Sequence, residues 1–483
     1  MRASRMESII KALEAEGFPL SQRAIPFEGG ALHILYLKNI TDRSALSESV
    51  IKPLILHFKR RTPGLLTLSA REVMDNIIYA DDCELESDDG KIRDTILSGM
   101  TVILLSWDEE YIVINLKKVE HRSVSEPTVT YTLRGPRDCF VENLPTNLSL
   151  VRYRVKDSKL RIKEFKVGKR TKTDVAVIYI EDIANDKVVN LVRQRIEAID
   201  IDGISESGEL ETLLQSSKWS LFPQMGMVER SDMAYNLLLE GKVLILVDGS
   251  SIGLSAPKMF GEFFHSCDDR YDNMYFGAAM RLIRYLSMFI VLTASSYFVA
   301  LTTFHIDVLP SQYVLDLAEM QAKVPWPPII GALMLEFIVE LLREALLRVP
   351  KQIGSAVGIV SAIVIGQAAI AAGIFSPLLL IIVSTSLLAS FVMPDFSLIN
   401  PFRILKIVAL LCTSVFGFYG MILFLCLLLV HLVSMESFGM PYLAPFAPFN
   451  LYDFLRFLMF NISISPYRHK YLRDKDNTRT KVK

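Results

Sequence analysis

The spacing of hydrophobic and polar positions divides the chain into two parts. Up to about residue 280, short apolar runs of strand length alternate with segments of helical spacing. Thr101–Ser106 and Tyr111–Asn115 flank a polar turn, which predicts a β-hairpin, and Val243–Val247 has the composition of a buried strand. From Arg281 onward the apolar runs reach the length of a membrane span. The pattern therefore predicts an α/β region followed by an all-α polytopic membrane bundle of about five to six helices.

Two segments of the α/β region resemble each other. Leu97-Ser98-Gly99 precedes the apolar run TVILLS, and Leu239-Glu240-Gly241 precedes the run VLILVD. Either these are unrelated strands, each preceded by a helix that a glycine ends, or two related α/β subdomains stand in tandem. We divide the chain into a first subdomain (residues 1–150), a second subdomain (151–280), a transmembrane bundle (281–440) and a C-terminal segment with a basic tail (441–483).

The apolar half of the chain contains one run that is too long for a single span. Leu286–Thr303 is uncharged and has the length of one span. Three further apolar segments are Pro328–Leu347, Ile353–Ala372 and Pro377–Met393. Ile404–Val433 then extends over 30 residues, and Gly417-Phe418-Tyr419-Gly420 in its middle predicts either two half-helices or a kinked helix.

Basic residues near the span ends predict the orientation of the chain. Arg281 and Arg284 precede the first span, which places the α/β region in the cytosol. The tail from Pro466 to Lys483 has seven Lys and Arg against two Asp, so the same rule places the tail inside as well. Five spans would instead put it outside. Either the 30-residue run is a hairpin, or Tyr442–Ile464 re-enters the membrane.

Composition excludes several classes of function. Of all residues 51% are hydrophobic and 22% are charged, as expected when a charged part is joined to an apolar part, and the net charge of −1 gives no argument for nucleic-acid binding. The five cysteines have no C-x-x-C spacing, so neither a metal site nor a disulfide framework is expected. The motifs of P-loop proteins, serine hydrolases and zinc proteases are missing from the sequence. We therefore expect no enzyme activity and no cofactor.

Three glutamates form a stripe on the second membrane segment. Glu336, Glu340 and Glu344 recur every four residues and so share one helix face, and Arg343 lies within reach of Glu340. Carboxylates in hydrocarbon are costly and normally face water, a partner or the bundle interior. One hypothesis is a carboxylate-lined cation path; the other is an amphipathic helix at the cytosolic interface whose charges pair with each other and with headgroups. Glu344 favours the second hypothesis, whereas the deeper Glu336 favours a functional role or a buried ion pair.

Small residues form a ridge along the third membrane segment, at spacings of three and four. Its members are Gly354, Gly358, Ala362, Gly366, Ala369 and Gly373. Small side chains let helices approach closely, so the ridge predicts packing within one subunit, a contact between copies or the lining of a pore. Gln367 is the only strongly polar side chain in the inner part of this segment, and it needs a partner. We include it with the three glutamates as a candidate for the ion path.

Longer stretches of the sequence resemble a known family. They are RGPRDCFVENLPTNLSLVRYR (134–154), FPQ (222–224), ILVDGSS (245–251), IRYLSMFIVLTASSYFVALTTFH (283–305), GIVSAIVIGQAAIAAGIFSP (358–377) and SFGMPYLAPFAPF (437–449). With these stretches, and over nearly the whole chain from about residue 35, the sequence resembles the A-subunit family of bacterial spore germination receptors, the GerA type. A sibling of the same architecture is encoded among the stage V sporulation membrane proteins.

The resemblance implies an integral membrane subunit of the spore inner membrane. It would act with a nutrient-binding B-type membrane subunit and a C-type lipoprotein, and it would form homo-oligomers that pass cations when germinant binds. We therefore expect the A subunit of a germinant receptor, acting as a ligand-gated cation channel. The alternative is a non-conducting signalling scaffold that relays the state of the B subunit through residues 1–280. No catalytic residue carries over, because the family is not known for enzymes.

Overall fold

The structure is a computed structural model that describes residues 20–27, 30–37, 41–60, 68–97, 99–116, 135–217, 220–271, 273–349, 366–458, 468–472, 474–475 and 478. Within these residues, an α/β region with two sheets precedes a helical region. The last described residues return from the helical region to the second sheet.

Two five-stranded antiparallel sheets form the α/β region. The first consists of β1 (Ser21–Phe27), β2 (Gly30–Tyr36), β3 (Cys83–Glu86), β4 (Thr101–Leu105) and β5 (Tyr111–Ile114), in the order β1-β2-β4-β5-β3. The second consists of β6 (Leu160–Val167), β7 (Thr173–Ile180), β8 (Gly226–Val228), β9 (Val243–Val247) and β10 (Gly253–Ala256), in the order β6-β7-β9-β10-β8. The predicted hairpin and the predicted buried strand are therefore confirmed, as β4–β5 and β9.

Helices cover the sheets. In the first subdomain they are α1 (Arg43–Ala45), continued by the π-helical segment Leu46–Ile51, then α2 (Lys52–Arg60), α3 (Ala70–Asn76) and α4 (Asp89–Leu97). With the second sheet pack α5 (Leu144–Arg154), α6 (Asp186–Glu197), α7 (Ser207–Leu214) and α8 (Ser231–Leu239). The division drawn at residue 150 falls inside α5, whose Leu148 and Val151 share a core with Ala176 and Ile178 of β7. That helix therefore belongs with the second sheet.

The two sheets repeat one topology. In each sheet the chain forms a hairpin, then helices, a short strand, a further helix and a second hairpin. The short strand pairs with the last strand of the second hairpin. The two similar runs of the sequence are β4 and β9, which occupy the same place in the strand order. Each follows a helix, and the glycine before each strand has a positive φ, 88° at Gly99 and 87° at Gly241. This repeat favours the tandem interpretation over two unrelated strands.

Alternation along β4 and β9 explains why both strands are apolar throughout. Successive side chains of a strand point to opposite faces of its sheet. Ile103 of β4 packs in one core with α3, whereas Val102 packs on the other face with Ile92 of α4. Ile245 and Leu244 of β9 divide in the same way between the cores of the second sheet. Both faces are covered, so every residue of the two strands is buried.

The helical region begins within the charged part of the chain. Its helices are α9 (Met274–Thr303), α10 (Ser311–Ala322), α11 (Pro328–Arg348), α12 (Pro377–Ser390), α13 (Phe396–Ser434) and α14 (Leu451–Leu458), with residues 366–371 also helical. Strands β11 (Glu436–Ser437) and β12 (Met440–Pro441) form a small hairpin, and 3₁₀ turns span Phe260–Phe264, Cys267–Arg270, Ile306–Val308 and Lys470–Leu472. Among the described helices, α9 and α13 are long and apolar enough to cross a membrane. α9 begins seven residues earlier than the sequence division at Arg281.

α13 is a helical hairpin that turns at Gly417. This residue has φ 61° and ψ −141°, which no helix contains. The ring of Phe222 lies 6.1 Å from the ring of Phe402 and 6.2 Å from that of His431, although 29 residues of straight helix would separate these two by about 44 Å. We call residues 396–416 and 418–434 the first and second arms. Of the two sequence interpretations of the 30-residue run, the described residues show two half-helices.

The chain end lies against the second sheet. Leu472 is buried in the core with Val189 and Val243, and the side-chain amide of Asn185 donates to the carbonyl oxygen of Leu472 over 3.1 Å. The backbone N–H of Lys475 donates to the carbonyl oxygen of Ile183 over 3.0 Å. We call the end of the helical region nearest the second sheet proximal and the opposite end, near Gly417, distal. The tail and the α/β region therefore lie together at the proximal end, as the hairpin alternative requires.

Candidate functional site

Five ionic side chains form a network between α11 and the first arm of α13. They are Glu336, Glu340, Arg343, Arg403 and Lys406, called the ion network below. Glu336 is its most deeply buried member, with 2% of the residue exposed. Lys406 Nζ donates to Oε2 of Glu336 over 2.6 Å, and Ser295 Oγ of α9 donates to Oε1 over 2.7 Å. One buried carboxylate thus joins three helices.

Glu340 lies one turn closer to the proximal end. Arg403 Nε donates to its Oε2 over 2.7 Å, and a second nitrogen of the same guanidinium contacts that oxygen. Lys406 Nζ is 3.5 Å from Oε1 of Glu340, and Arg343 Nη1 is 3.6 Å from it. Three cations therefore face two carboxylates, and the ion network carries one net positive charge.

The predicted glutamate stripe divides into two parts. Glu336 and Glu340 enter the ion network, where cations of α11 and α13 neutralise them. Glu344 stays outside, exposed, and accepts from Arg348 Nη2 over 2.7 Å, four residues along the same helix. This is the pairing that the amphipathic-helix hypothesis expects. Glu336 forms a buried ion pair, which is one of the two roles that the sequence favoured for it. A cation path through these residues stays a prediction.

The small-residue ridge is described only in its second half. Gly354, Gly358 and Ala362 lie outside the described residues. Ala369 packs in one core with Phe298 of α9, Leu335 of α11 and Leu379 of α12, so this position serves packing within the chain. Gly373 lies beyond the last helical residue with φ 65°, and it belongs to the turn that ends the helix, not to a helix face.

Gln367 is separate from the ion network. The helical residues 366–371 lie next to α12, where a Cβ on Gly366 would be 3.8 Å from Leu380. Gln367 and its neighbour Ala368 are exposed, whereas Ala369 is buried. The structure therefore places the side-chain amide of Gln367 on the outer surface of a single chain. Gln367 is far from Glu336 in sequence, and the described residues show no contact between the two. The other exposed residues of this short helix are Ile370 and Ala371.

A second set of contacts fixes the α/β region to the hairpin α13. We call it the joint: Phe222, Pro223, Gln224, Lys258, Asp395, Ser437 and Tyr442. Phe222 is buried between the two arms of α13 and Tyr442. Tyr442 Oη donates to the carbonyl oxygen of Pro223 over 2.7 Å, and Ser437 Oγ donates to that of Gln224 over 2.7 Å. Movement of this loop must therefore move the base of both arms.

An ion pair completes the joint. Lys258, which follows β10, pairs with Asp395, whose carboxylate also accepts from the N–H of Ser397 over 3.0 Å and so caps the first arm. Lys258 Nζ also lies 4.1 Å from the centre of the Phe263 ring. Nearby, burial raises the pKa of the Glu211 carboxyl to about 7, although the charge of Lys258 acts in the opposite direction. The ammonium group of Lys258 thus links the end of β10 to the residue that caps the first arm of α13.

The arginines that predicted the orientation are structural in this chain. Arg284 donates to both oxygens of Asp269, over 2.6 and 2.9 Å, and Arg281 Nε donates to the same carboxylate over 3.0 Å. All three residues are buried. Because one carboxylate cannot neutralise two guanidinium groups, carbonyl oxygens also take part: Arg284 Nη1 donates to that of Phe264 and Arg281 Nη1 to that of Phe457. This cluster fixes the start of α9 to the chain segment before it.

Comparison with known proteins decides the family. A family model described as Bacillus/Clostridium GerA spore germination protein matches residues 8–470. The chain belongs to this family. The recognition of the GerA-type family from sequence is therefore confirmed. Among relatives, "Spore germination protein KA" of Bacillus subtilis (strain 168) is 37% identical over 419 residues, which are 87% of this chain and 76% of that protein.

Two further similarities concern most of this GerA-family chain and about half of it, respectively. "Uncharacterized membrane protein YfkQ" of Bacillus subtilis (strain 168) is 34% identical over 416 residues, 86% of this chain and 80% of the relative. The crystal structure of the N-terminal domain of the A subunit of the Bacillus megaterium spore germinant receptor GerK3 is similar over 53% of this chain and 95% of that domain, with 25% identity and a TM-score of 0.40.

Sequence reasoning found the glutamates of this GerA-family chain and the nearby Arg343, but not their partners on α13. Lys406 and Arg403 lie more than 60 residues from Glu336, and only the antiparallel packing of α11 on the first arm brings them together. The signal that could have found Lys406 was its place as an ionisable side chain inside an apolar run, because such a residue needs a buried partner. Within the described ranges, no group of three or more His, Cys, Asp and Glu side chains could hold a metal ion.

Proposed function

We propose that this chain is the A subunit of a spore germinant receptor and an integral protein of the spore inner membrane. Membership of the GerA spore germination family supports the first part. Similarity to YfkQ of Bacillus subtilis, a membrane protein, supports the second. The B-type and C-type subunits implied by the family resemblance belong to this proposal as its partners, together with the lipid bilayer.

The exposed surface of the helices supports the membrane placement. Large apolar side chains are exposed along α9 and along both arms of α13; they include Leu286, Phe289, Tyr297, Val408, Leu411, Val415, Leu423, Leu427 and Val430. A soluble protein rarely exposes so large a continuous apolar surface. The first arm of 21 residues is about 31 Å long, which is the thickness of the hydrocarbon core. We infer that the chain crosses the membrane six times, with the proximal end in the cytosol.

We further propose that copies of the chain assemble into a ligand-gated cation channel. The observation that carries this step is the exposed amide of Gln367 on a helix whose other residues are small or apolar. A lone amide facing hydrocarbon has no hydrogen-bond partner and costs free energy. Contact with another copy or with a water-filled path provides one. The small neighbours of Gln367 let helices of several copies approach a common axis.

The joint gives the proposed channel a route for gating. Phe222 touches both arms of α13, and Lys258 pairs with the first residue before that helix. A change in the second subdomain, caused by a partner that has bound germinant, would shift the base of the hairpin. The ion network lies further along the same first arm, at Arg403 and Lys406. Gating would therefore include a rearrangement of these ion pairs.

The alternative function is a non-conducting signalling scaffold. One observation favours it: Glu336 and Glu340 are paired with cations of the same chain, so neither presents a free carboxylate to a passing cation. In a scaffold the ion network would only hold the helices together. The joint would then pass a conformational change to the partner subunits. In both functions the joint transmits a conformational change. Only in the channel does Gln367 face a conducting path.

Cation release separates the two functions. In spores whose only germinant receptor contains this chain, nutrient broth is added and potassium release is followed. For a channel, Gln367→Leu slows the release about tenfold or more, because a polar lining becomes apolar. Gln312→Leu on the exposed surface of α10 is the matched control and leaves the rate unchanged. Immunoblots of the inner membrane establish equal assembly.

The scaffold predicts another pattern. Gln367→Leu then releases potassium at the wild-type rate, whereas Phe222→Ala at the joint blocks the response in either case. Wild-type release from the assembled Gln367→Leu variant would contradict the channel and leave the receptor role intact. A Phe222→Ala variant that responds normally would contradict the proposed route through the joint.

A further inference from the structure

A small polar cavity lies beside the ion network, near the proximal end of the helical region. It is lined by Arg343 of α11, by Ser386 and Ser390 of α12, and by Arg403 and Lys406 of the first arm, with apolar side chains completing the wall. Its volume is about 10 Å³, which is room for one water-sized group. Among the described residues that line it, none is acidic. The cavity therefore offers only positive charges, hydroxyls and hydrocarbon.

Arg343 is the cation that the ion network leaves without full compensation. Its Nη2 donates to Ser390 Oγ over 3.2 Å, but Nε and Nη1 are buried and have no hydrogen-bond partner among the described residues. Oε1 of Glu340 approaches Nη1 only to 3.6 Å, beyond hydrogen-bond distance, and Oε2 of the same carboxylate accepts from Arg403. A guanidinium has five N–H donors and cannot lose its charge in a protein. Two of its donor atoms thus remain available toward the cavity.

An anion at this place would balance the charge of the ion network. The ion network has three cations and two carboxylates, and an unpaired charge away from water is strongly unfavourable. Water can fill a polar cavity of this size but cannot neutralise it. A singly charged atom can do both, since it accepts from Arg343 while it offsets the net positive charge.

We propose that this cavity binds one negatively charged atom, either the halide of a chloride ion or a phosphate oxygen of a phospholipid headgroup. Both ligands present one anionic acceptor to the guanidinium. The surroundings let either one enter: Leu388 and Phe391 near the cavity are exposed, as are Phe396 and Asn400 at the start of α13. A basic pocket between membrane helices at the cytosolic side is a setting in which acidic headgroups bind.

The bound anion would act as a bridge between helices. Arg343 belongs to α11, Ser390 to α12 and Arg403 to α13, so one ligand at this cavity would touch three helices. The inference rests on the proposed membrane placement only where the ligand is a lipid. It does not depend on cation conduction, and a failure of the potassium-release experiment would leave it untouched.

Thermal stability of the purified full-length chain in neutral detergent tests the site. One arm compares sodium chloride with sodium gluconate at equal ionic strength; the other compares added phosphatidylglycerol with phosphatidylcholine. A ligand that binds the folded chain raises the melting temperature in a saturable way. We expect saturable stabilisation by chloride, by phosphatidylglycerol or by both, and Arg343→Gln weakens the apparent affinity about tenfold or more.

Two further variants make the result specific. Ser390→Ala removes the hydroxyl oxygen that accepts from Arg343 Nη2 and positions the guanidinium, and we expect it to weaken binding about severalfold. Arg348→Gln lies on the same helix, loses the same charge and is outside the cavity, so it should bind like the wild type. Stabilisation by phosphatidylglycerol alone identifies a headgroup, and stabilisation by chloride alone identifies an ion from solution. A wild-type chain that responds to neither, or an Arg343→Gln chain that responds like the wild type, overturns the site.

Discussion

At the scale of single residues, equal spacing in sequence produced unequal environments. Glu336 and Glu344 lie on the same helix face, two turns apart. Glu336 has a lysine and a serine from two other helices within hydrogen-bond distance, whereas Glu344 has only Arg348 of its own helix and solvent. The buried pair is therefore worth testing as a unit, because its members depend on each other for compensation.

Removing one member of the buried pair should destabilise the chain more than removing both. Glu336→Gln leaves Lys406 charged and buried, which costs about 3–5 kcal/mol, and Lys406→Met leaves Glu336 in the same condition. The double variant Glu336→Gln/Lys406→Met leaves neither partner of the pair charged, so its melting temperature in detergent should lie above those of both single variants.

Glu344→Gln is the matched control for this cycle. It breaks an exposed pair four residues apart on one helix, and such pairs contribute only about 0.3–0.5 kcal/mol. Its melting temperature should stay close to that of the wild type. Strictly additive effects of Glu336→Gln and Lys406→Met in the double variant would show that the two side chains do not interact, contrary to the ion network.

At the scale of elements, the sequence contained the hairpin of α13 as one of two alternatives. Length and the glycines at its centre predicted a break, but apolar composition is the same for a kinked helix and for two arms. The decision lies in contacts that cross between the arms. A Cβ on Gly420 would lie 2.2 Å from the carbonyl oxygen of Cys412, eight residues earlier, a proximity that a continuous helix does not allow.

We expect that no other residue can replace Gly417 in this turn. Its φ of 61° with ψ −141° is open to glycine alone, and a Cβ there would lie 2.9 Å from His305 and 3.0 Å from Phe304. Gly417→Val should therefore lower the melting temperature, by an amount that corresponds to about 1–3 kcal/mol or more. Gly366→Ala is the control, since its Cβ would meet Leu380 at an ordinary 3.8 Å. Equal stability of both variants would place the turn elsewhere.

In the α/β region, too, the sequence predicted individual elements but not which elements lie next to each other. Alternation and glycine positions sufficed to predict β4, β5 and β9, because the two faces of a strand are encoded locally. The strand order is not local: β3 pairs with β5 across a later helix and strand, and no pattern in four residues predicts that neighbour. The partners of Glu336 were hidden for the same reason, since they belong to another helix.

At the scale of the whole molecule, the tail and the second sheet lie on one side of the helical region. Leu472 enters the core of the second sheet, and Lys475 pairs with Asp186 at the start of α6. The distal side instead carries α10, none of whose residues is buried. An even number of crossings follows for a chain that is embedded as proposed, and this removes the conflict between five spans and a basic tail.

Cysteine labelling in sealed vesicles tests this arrangement. In a background with the five native cysteines replaced by serine, single cysteines are introduced as Glu197→Cys on the second subdomain, Thr478→Cys in the tail and Tyr313→Cys on α10; all three positions are exposed. A membrane-impermeant maleimide should label the first two from one side and Tyr313→Cys from the other. Labelling after detergent treatment serves as the control for reactivity. If Glu197→Cys and Thr478→Cys react from opposite sides, the number of crossings is odd, and the docking of the tail on the second sheet cannot exist in the membrane.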